Sequence, residues 1–283
     1  DAAVLDWSAR PDCLVTVDML MEGVDFTLDT ATPERIGRKA LAVNLSDIAA
    51  MAGKPVACVV ALALPQSGGY ELGQRLTSGL LPLAEEFGVV LAGGDTNTWQ
   101  GPLVLSITVL GEPTGRGPVL RSGARPGDWI CVTGPLGGSL LGHHLDFTPR
   151  VREALALHEA TTLHSLIDIS DGLAADLGHI LEESRVGAVL QAESIPITPA
   201  AHEMSRTDHR SPLDHALADG EDFELIFTLA PDEGQRLLAR PPAGVAVHHI
   251  GDVTAEEGLI LRHADGRRVS LASLGWKHPF TSR

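Results

Sequence analysis

The sequence contains few cysteines, and no two of them lie close together. Only three occur among 283 residues: Cys13, Cys58 and Cys131. Zinc and similar metal centres use closely spaced pairs such as C-x-x-C, so this spacing excludes a cysteine metal site of that kind. An odd number of separated cysteines also argues against a disulfide framework. The pattern predicts reduced, half-buried core thiols in a cytoplasmic protein.

Positive charge and long apolar runs are scarce as well. The chain has 21 Lys and Arg against 37 Asp and Glu, a formal net charge of −16. Such a balance argues against nucleic acid and anionic membranes as partners. The longest apolar run, Val56–Leu64, is far shorter than the roughly 20 residues of a membrane-spanning helix. A phosphate substrate remains compatible with this charge if metal ions neutralise it.

Two common catalytic motifs are missing too. Gly137–His143 has the Gly-x4-Gly spacing of a phosphate-binding loop but lacks its Lys and Ser/Thr. We therefore interpret Gly137–Leu145 as a helix with small residues at its start. No Ser-His-Asp arrangement is recognisable.

What is present is an alternation of strand and helix patterns on both sides of one linker. Hydrophobic residues make up 44% of the chain, enough for a substantial core. The linker is G-E-P-T-G-R-G-P at Gly111–Pro118. We predict a mixed α/β protein with two domains, residues 1–114 and residues 115–283.

The first domain shows the clearest element signals. Thr32, Pro33 and Glu34 form a helix start, and the helix could continue to Ala52. Val56–Leu64 is predicted to be a buried strand between two prolines. Val89–Ala92 is predicted to be a short strand that stops at Gly93-Gly94-Asp95.

Acidic residues recur where strands end or helices begin. Ligands of open α/β sheets bind at such positions, and carboxylate oxygens suit Mg²⁺ better than zinc. Asp47 is unusual because it lies in an otherwise apolar helical segment, where a carboxylate is costly to bury without a partner or a metal ion. Taken singly, each of these residues could instead be a helix cap or a solvated charge. The residues at these positions are Asp18, Asp95, Asp168, Asp171 and Glu221.

The stretch Ile167–Leu173, I-D-I-S-D-G-L, places two carboxylates and a hydroxyl at a strand-to-helix junction. Backbone N–H groups at a helix start attract anions, and carboxylates attract metal ions. This combination suggests a place where Mg²⁺ and phosphate meet, although Asp171 could simply cap the helix. Past the linker, Arg121 or Arg125 could reach a phosphate, or both could be solvated.

Five motifs in order resemble the thiamine-monophosphate kinase family, within the superfamily that includes aminoimidazole ribonucleotide synthetase. The resemblance covers nearly the whole chain. The motifs are V-N-L-S-D-I-A-A-M-A-G at Val43–Gly53, G-G-D-T at Gly93–Thr96, R-S-G-A-R-P-G-D at Arg121–Asp128, D-I-S-D-G-L at Asp168–Leu173 and G-E-D-F-E-L at Gly220–Leu225.

This resemblance implies transfer of the γ-phosphoryl group of ATP onto thiamine monophosphate, with several Mg²⁺ ions and no acid–base residue. It also implies a homodimer that pairs its N-terminal sheets, an N-terminal domain for ATP, Mg²⁺ and dimerisation, and a C-terminal domain that completes the active site. The implied Mg²⁺ ligands are Asp1, Thr16, Asp18, Asp47, Asp95, Asp168 and Asp171. The implied ATP contacts are Gly94, Asp95, Arg121 and Ser170, and the implied substrate contacts are Asp25, Glu221 and Trp276.

The sequence departs from the family pattern at several points. Val17 stands where the family has a Thr, and Asp25 stands where a His is expected to meet the substrate. Trp276 could stack on a cationic thiazolium ring, or it could simply be packed. Two other functions stay open: an ATP-using superfamily member with another phosphorylated acceptor, and a divalent-cation-binding protein without catalysis.

Overall fold

The computed structural model describes residues 12–271 and residue 275, and the chain divides into two compact units. The first unit contains residues 1–118 and 145–151, and the second contains residues 119–144 and 152–283. The chain thus leaves the first unit at Pro118 and returns to it for Leu145–Val151. Among the described residues, every helix is too short or too polar to cross a membrane.

The first unit is a four-stranded sheet with two helices. The strands are β1 (Leu14–Met21), β2 (Lys54–Pro65), β3 (Val90–Trp99) and β4 (Val104–Glu112), in the order β1-β4-β2-β3. Strand β4 runs antiparallel to both β1 and β2, whereas β2 and β3 are parallel. The helices are α1 (Pro33–Ala49) and α2 (Gly69–Glu86). Helix α1 begins as predicted, because the Thr32 hydroxyl accepts the Arg35 N–H.

The two faces of this sheet differ in burial. One face is the core of the unit, where Leu105 and Ile107 of β4 are buried, as are Leu41 and Leu45 of α1. The opposite face of β1 is exposed and apolar. Since strand residues alternate between faces, Thr16 and Asp18 project toward the core face, and Val15 and Val17 toward the exposed one. Their neighbours in register agree, because Asp18 pairs with buried Ile107.

The second unit is built on a seven-stranded sheet in the order β11-β10-β7-β9-β5-β8-β6. Its helix α5 (Leu173–Ser184) packs on the core through Leu173, Leu177 and Ile180, all fully buried. The strands are β5 (Trp129–Val132), β6 (Ser165–Asp168), β7 (Gly187–Gln191), β8 (Leu225–Leu229), β9 (His248–Thr254), β10 (Gly258–Arg262) and β11 (Arg268–Ser270). The remaining helices of the chain are α3 (His143–Asp146), α4 (Val151–Ala160), α5 (Leu173–Ser184), α6 (Pro199–Asp208), α7 (Pro212–Ala218) and α8 (Pro231–Ala239).

Three local predictions were wrong. Strand β3 does not stop at Gly93-Gly94-Asp95 but pairs with β2 as far as Trp99. The predicted helix over Gly137–Leu145 is broken, because Gly137 and Gly138 have left-handed φ values of 88° and 75°. A short 3₁₀ turn and α3 replace it. Cys13 is exposed rather than half-buried, whereas Cys58 and Cys131 are buried as free thiols.

Candidate functional site

In the first unit, a strand and a helix bring three predicted metal ligands together. The Thr16 hydroxyl on β1 donates a short hydrogen bond to Oδ2 of Asp47 on α1. Asp18, two residues along β1, shares a hydrogen bond with the Asp47 side chain. The contact forms because Thr16 and Asp18 lie on the face of β1 that α1 covers. We call this set of three residues the Asp18–Asp47 cluster.

The electrostatics of this cluster favour a cation. Burial, together with the nearby carboxylates of Asp47 and Asp25, raises the pKa of Asp18 to about 7. Two carboxylates this close cannot both ionise without cost unless a positive charge lies between them. Hard oxygen donors in this arrangement fit Mg²⁺, so the donor chemistry agrees with the predicted metal ion.

Asp25 contributes its charge to this cluster but is held by its own turn. Its Oδ2 atom accepts the Met21 N–H at 2.7 Å, and its backbone carbonyl accepts a hydrogen bond from Nζ of buried Lys39 at 3.1 Å. The carboxylate therefore stabilises the turn after β1.

We expect the metal-free protein to lose stability as pH rises from about 4 to about 7 through Asp18. The folded state holds this proton up to a pKa of about 7, whereas the unfolded state releases it near 3.8. Because the unfolded state then binds fewer protons, the free energy of unfolding decreases with pH in this range. Thermal unfolding in EDTA measures the effect. The slope should be shallower in Asp18→Asn, and parallel curves for the two proteins would contradict the assignment.

Gly94 and Asp95 lie inside β3 at the far edge of the same sheet. A side chain at Gly94 would approach the Val60 carbonyl to 2.1 Å, so this position requires glycine. Asp95 is in register with Ala61, and Ala61 with Ser106 of β4. Asp95 thus lies on the exposed face, and two strands, β4 and β2, separate it from β1. The first unit by itself does not bring Asp95 together with Asp18.

A pocket of about 390 Å³ borders this part of β3. Its lining is mainly apolar, with Val60 and Leu62 from β2 and Leu76 and Leu80 from α2. Residues Gly93–Thr96 form one wall. Such a lining accommodates an apolar or planar group better than a multiply charged one.

In the second unit, two of the motifs lie side by side. The Phe223 N–H donates to the Ile169 carbonyl, and the Glu221 N–H donates to the Ser170 carbonyl, both at 2.8 Å. The Ile169 N–H in turn donates to the Glu224 carbonyl at 2.8 Å. These bonds extend the β6–β8 pairing beyond both strands. They bring the backbone of Ser170 close to that of Glu221.

The turn in the motif G-E-D-F-E-L, at Gly220–Leu225, depends on unusual backbone angles. Gly220, Glu221 and Phe223 all have positive φ values, of 73°, 56° and 51°. Positive φ is strained for residues other than glycine, so neighbouring bonds must hold these residues in place. The flanking acidic residues provide such bonds, since Asp222 accepts the Gly137 N–H at 2.8 Å and Glu224 accepts the Thr133 hydroxyl at 2.6 Å. Burial raises the pKa of Asp222 well above its ordinary value.

The stretch that follows Asp168 excludes the alternative that Asp171 caps the helix. Asp168 ends β6 and is buried, but the residue at the N-cap of α5 is Gly172, and Asp171 does not cap the helix. The N–H groups of residues 170–172 do not point at an open anion site either. All three donate to Oδ2 of Asp176, in the first turn of α5.

Asp176 is the residue that sequence reasoning missed in this unit. Burial, together with the charges of Asp168 and Asp171, raises its pKa to about 8. Among the described residues, Asp171, Asp176 and His179 form one group whose ligand atoms lie within 4.8 Å of each other. The available signal was the spacing of Asp176 and His179, which places both one turn apart on α5 near Asp171.

The remaining predicted residues lie elsewhere. The Arg121 carbonyl accepts a hydrogen bond from Ser184 at the last residue of α5, so the backbone of Arg121 lies at the opposite end of α5 from Ser170. The Arg121 side chain is exposed. Asp1 and Trp276 lie outside the described residues. Gly275, the residue before Trp276, lies close to Asp171, because a side chain there would reach its carbonyl at 3.2 Å.

Comparison with known proteins gives matches over most of the chain. Residues 1–112 match the model for the AIR synthase related protein, N-terminal domain, and residues 125–264 match the C-terminal domain model. The thiamine-monophosphate kinase of Rhodopirellula baltica is 43% identical over 285 residues, covering 98% of this chain and 89% of the relative.

Solved structures show the same fold. The thiamine-monophosphate kinase of Stenotrophomonas maltophilia K279a aligns with a TM-score of 0.80 at 37% identity, covering 94% of this chain and 89% of that one. AaThiL complexed with AMPPCP and TMP aligns with a TM-score of 0.82 at 29% identity, covering 94% and 87%. The predicted mixed α/β fold is therefore confirmed.

Proposed function

The chain belongs to the AIR synthase related family, and on this premise we propose that it transfers the γ-phosphoryl group of ATP to thiamine monophosphate, giving thiamine diphosphate. The observation that carries the proposal is the Asp18–Asp47 cluster, in a chain similar over nearly its whole length to thiamine-monophosphate kinases. AaThiL, of the same fold, has been solved with AMPPCP and TMP. AMPPCP is an analogue of ATP, and TMP is the proposed acceptor.

The proposed chemistry needs little from acid–base residues. The attacking oxygen belongs to a phosphate that is already ionised at neutral pH, so no general base has to remove a proton. The obstacle is the repulsion between acceptor phosphate and triphosphate, which amounts to about 4 kcal/mol for each pair of unit charges at 4 Å near a protein surface. Catalysis therefore depends on positioning the two anions and on neutralising their charge.

Carboxylates supply the sites for this neutralisation. In the first unit, Asp18 and Asp47 would hold Mg²⁺ with help from Thr16, and in the second unit Asp168 and Asp171 would do so. Bound Mg²⁺ screens the phosphate charges and orients the oxygen atoms. We assign Asp1 and Asp95 to the same metal set, and Gly94, Arg121 and Ser170 to ATP.

We assign Glu221, Trp276 and Asp25 to the acceptor. Glu221 is half-buried next to the Ser170 carbonyl, whereas the neighbouring Asp222 and Glu224 face inward. Its negative charge would attract the positively charged thiazolium ring. Trp276 follows Gly275 in the chain and would stack on that ring, and Asp25 would approach the acceptor from the turn after β1. The reaction belongs in the cytoplasm, where the three free cysteines remain reduced.

We further propose that the protein is a homodimer formed through the exposed face of the first sheet. This face consists of Val15, Val17, Met19 and Val59, which are 61%, 61%, 60% and 42% exposed. Strand register makes them neighbours, because Val17 and Val59 both pair with Thr108. Apolar side chains gathered on one sheet face favour a covering partner. Asp95 lies on the same face, so a dimer would place it at the interface between the copies.

Comparing acceptors tests the proposed reaction. We expect the full-length protein with Mg²⁺ and ATP to release ADP in proportion to added thiamine monophosphate, and to leave unphosphorylated thiamine unchanged. Omitting Mg²⁺ should stop the reaction. ADP release only with a different phosphorylated acceptor would favour another activity within the superfamily. Mg²⁺ binding without any dependence on ATP would favour a non-catalytic cation-binding protein.

A further inference from the structure

One buried carboxylate organises the loop between β6 and α5. Asp176 is 2% exposed, and its Oδ2 atom accepts three consecutive backbone N–H groups. The N···O distances are 3.0 Å from Ser170, 3.0 Å from Asp171 and 3.1 Å from Gly172. Three donors that converge on a single atom fix the backbone of all three residues at once.

We propose that Asp176 is a positioning residue, which sets the loop so that Ser170 and Asp171 can bind the Mg²⁺–triphosphate group. This inference rests on the proposed function, because that function assigns ATP and Mg²⁺ to the two residues. Asp176 acts through the loop backbone and does not itself contact the nucleotide. Small displacements of positioning groups lower rates strongly, so the placement of one oxygen atom matters here.

In this loop, the hydrogen-bond acceptor of the three N–H groups is a side chain of the protein and not a bound anion. Consecutive N–H groups at a helix start normally offer a site to an external anion. Here Asp176 occupies that position, and the nucleotide phosphates cannot use the same three donors. The loop therefore has its shape before any ligand arrives. Phosphate binding is left to the side chains of residues 170 and 171 and to their metal ions.

Gly172 contributes to the same arrangement. Its φ value is 110°, and a side chain there would lie 3.1 Å from the backbone of Ala218 on α7. The glycine lets the chain turn sharply from the loop into α5, which brings the first turn of the helix, with Asp176, beneath residues 170–172. Two contacts therefore hold the loop. Asp176 on α5 accepts its N–H groups, and the Glu221 N–H donates to the Ser170 carbonyl.

Two conservative variants separate positioning from the other roles of a carboxylate. Asp176→Asn keeps an oxygen at the same distance from the backbone but cannot ionise. Asp176→Glu keeps a carboxyl group that can ionise but moves the oxygen along a longer side chain. If Asp176 acts by positioning, the Asn variant retains function and the Glu variant loses it. If Asp176 is a metal ligand with Asp171 and His179, or acts only through its charge, the Asn variant loses function.

The measurement is the affinity of the full-length protein for AMPPCP with saturating Mg²⁺, by calorimetry. We expect Asp176→Asn to bind within about threefold of the unmodified protein, and Asp176→Glu to bind at least about tenfold more weakly. Glu183→Gln, an exposed acidic residue on the same helix, is the matched control and should not change affinity. Thermal unfolding checks that each variant folds.

Each other pattern overturns the proposal. Weak binding by Asp176→Asn, alone or together with Asp176→Glu, would make the charge or direct ligation the cause. Unchanged binding by both variants would show that Asp176 does not position the loop for the nucleotide. Absence of binding by the unmodified protein would show that this loop does not bind the nucleotide. A protein that binds Mg²⁺–AMPPCP but does not phosphorylate thiamine monophosphate would contradict the proposed function and leave the positioning role to be judged by these affinities.

Discussion

Replacing Asp47 with Asn is expected to lower turnover by at least about a thousandfold while the protein still folds. Asp47 accepts the Thr16 hydroxyl and shares a hydrogen bond with Asp18, so it is the centre of the Asp18–Asp47 cluster. The Asn side chain has nearly the same shape, but it replaces one anionic metal ligand with a neutral amide. The affinity for Mg²⁺ at this cluster should therefore fall sharply.

The same substitution should not destabilise the metal-free protein. Asp47 raises the pKa of Asp18 by its charge, so the two carboxylates repel each other when no cation is bound. Removing one charge relieves that repulsion, and the thermal midpoint of Asp47→Asn in EDTA should equal or exceed that of the unmodified protein. Steady-state kinetics across a range of Mg²⁺ concentrations, with thermal unfolding of the same samples, measures both effects.

The matched control is Asp29→Asn, which removes an exposed carboxylate from the same unit. We expect it to leave both turnover and the Mg²⁺ requirement unchanged. Full activity of Asp47→Asn would make Asp47 a structural residue. Loss of activity together with loss of folding would equally contradict a role in metal binding.

Val17→Glu is expected to convert the proposed dimer into a monomer. Val17 lies in the middle of the exposed apolar face and would meet the partner copy across a two-fold axis. Each interface would then contain two buried, unpaired carboxylates. Burying one such charge costs several kcal/mol, so the dimer should dissociate at least about a hundredfold more readily.

Val24→Glu provides a close control for this experiment. Val24 is 57% exposed, similar to Val17, but it lies in the turn after β1 and not on the sheet face. Sedimentation or light scattering should give a dimer mass for the unmodified protein and Val24→Glu, and a monomer mass for Val17→Glu. A monomeric unmodified protein, or a Val17→Glu variant that stays dimeric, would show that this face is not the interface.

The features of the first unit that the sequence predicted are those with local causes. Thr32 is a recognisable helix cap, and the apolar run between two prolines is a strand because its composition allows little else. The prediction that this strand is buried was wrong in part, since Val59 is 42% exposed. Asp47 stood out because a carboxylate in an apolar helical segment requires a partner. That partner is Asp18. The register of β1 with β4 places the Asp18 side chain on the core face of the sheet, which α1 covers.

The remaining features depend on contacts between distant parts of the chain. The sequence could not tell that β3 continues through Gly93-Gly94, because the reason for the glycine is the Val60 carbonyl on a neighbouring strand. Register alone decides that Asp95 lies on the opposite face from Asp18. Asp176 was missed because its role depends on the path of the loop, where three N–H groups converge on one carboxylate oxygen.

The central claim is direct transfer of the terminal phosphoryl group of ATP onto thiamine monophosphate. The most direct measurement is a reaction of the full-length protein with Mg²⁺, thiamine monophosphate and ATP labelled in its γ-phosphoryl group, followed by separation of the products. We predict that the label appears in the terminal phosphoryl group of thiamine diphosphate, in equal amount to the ADP formed. Label found only in inorganic phosphate, or unlabelled thiamine diphosphate, would contradict this account.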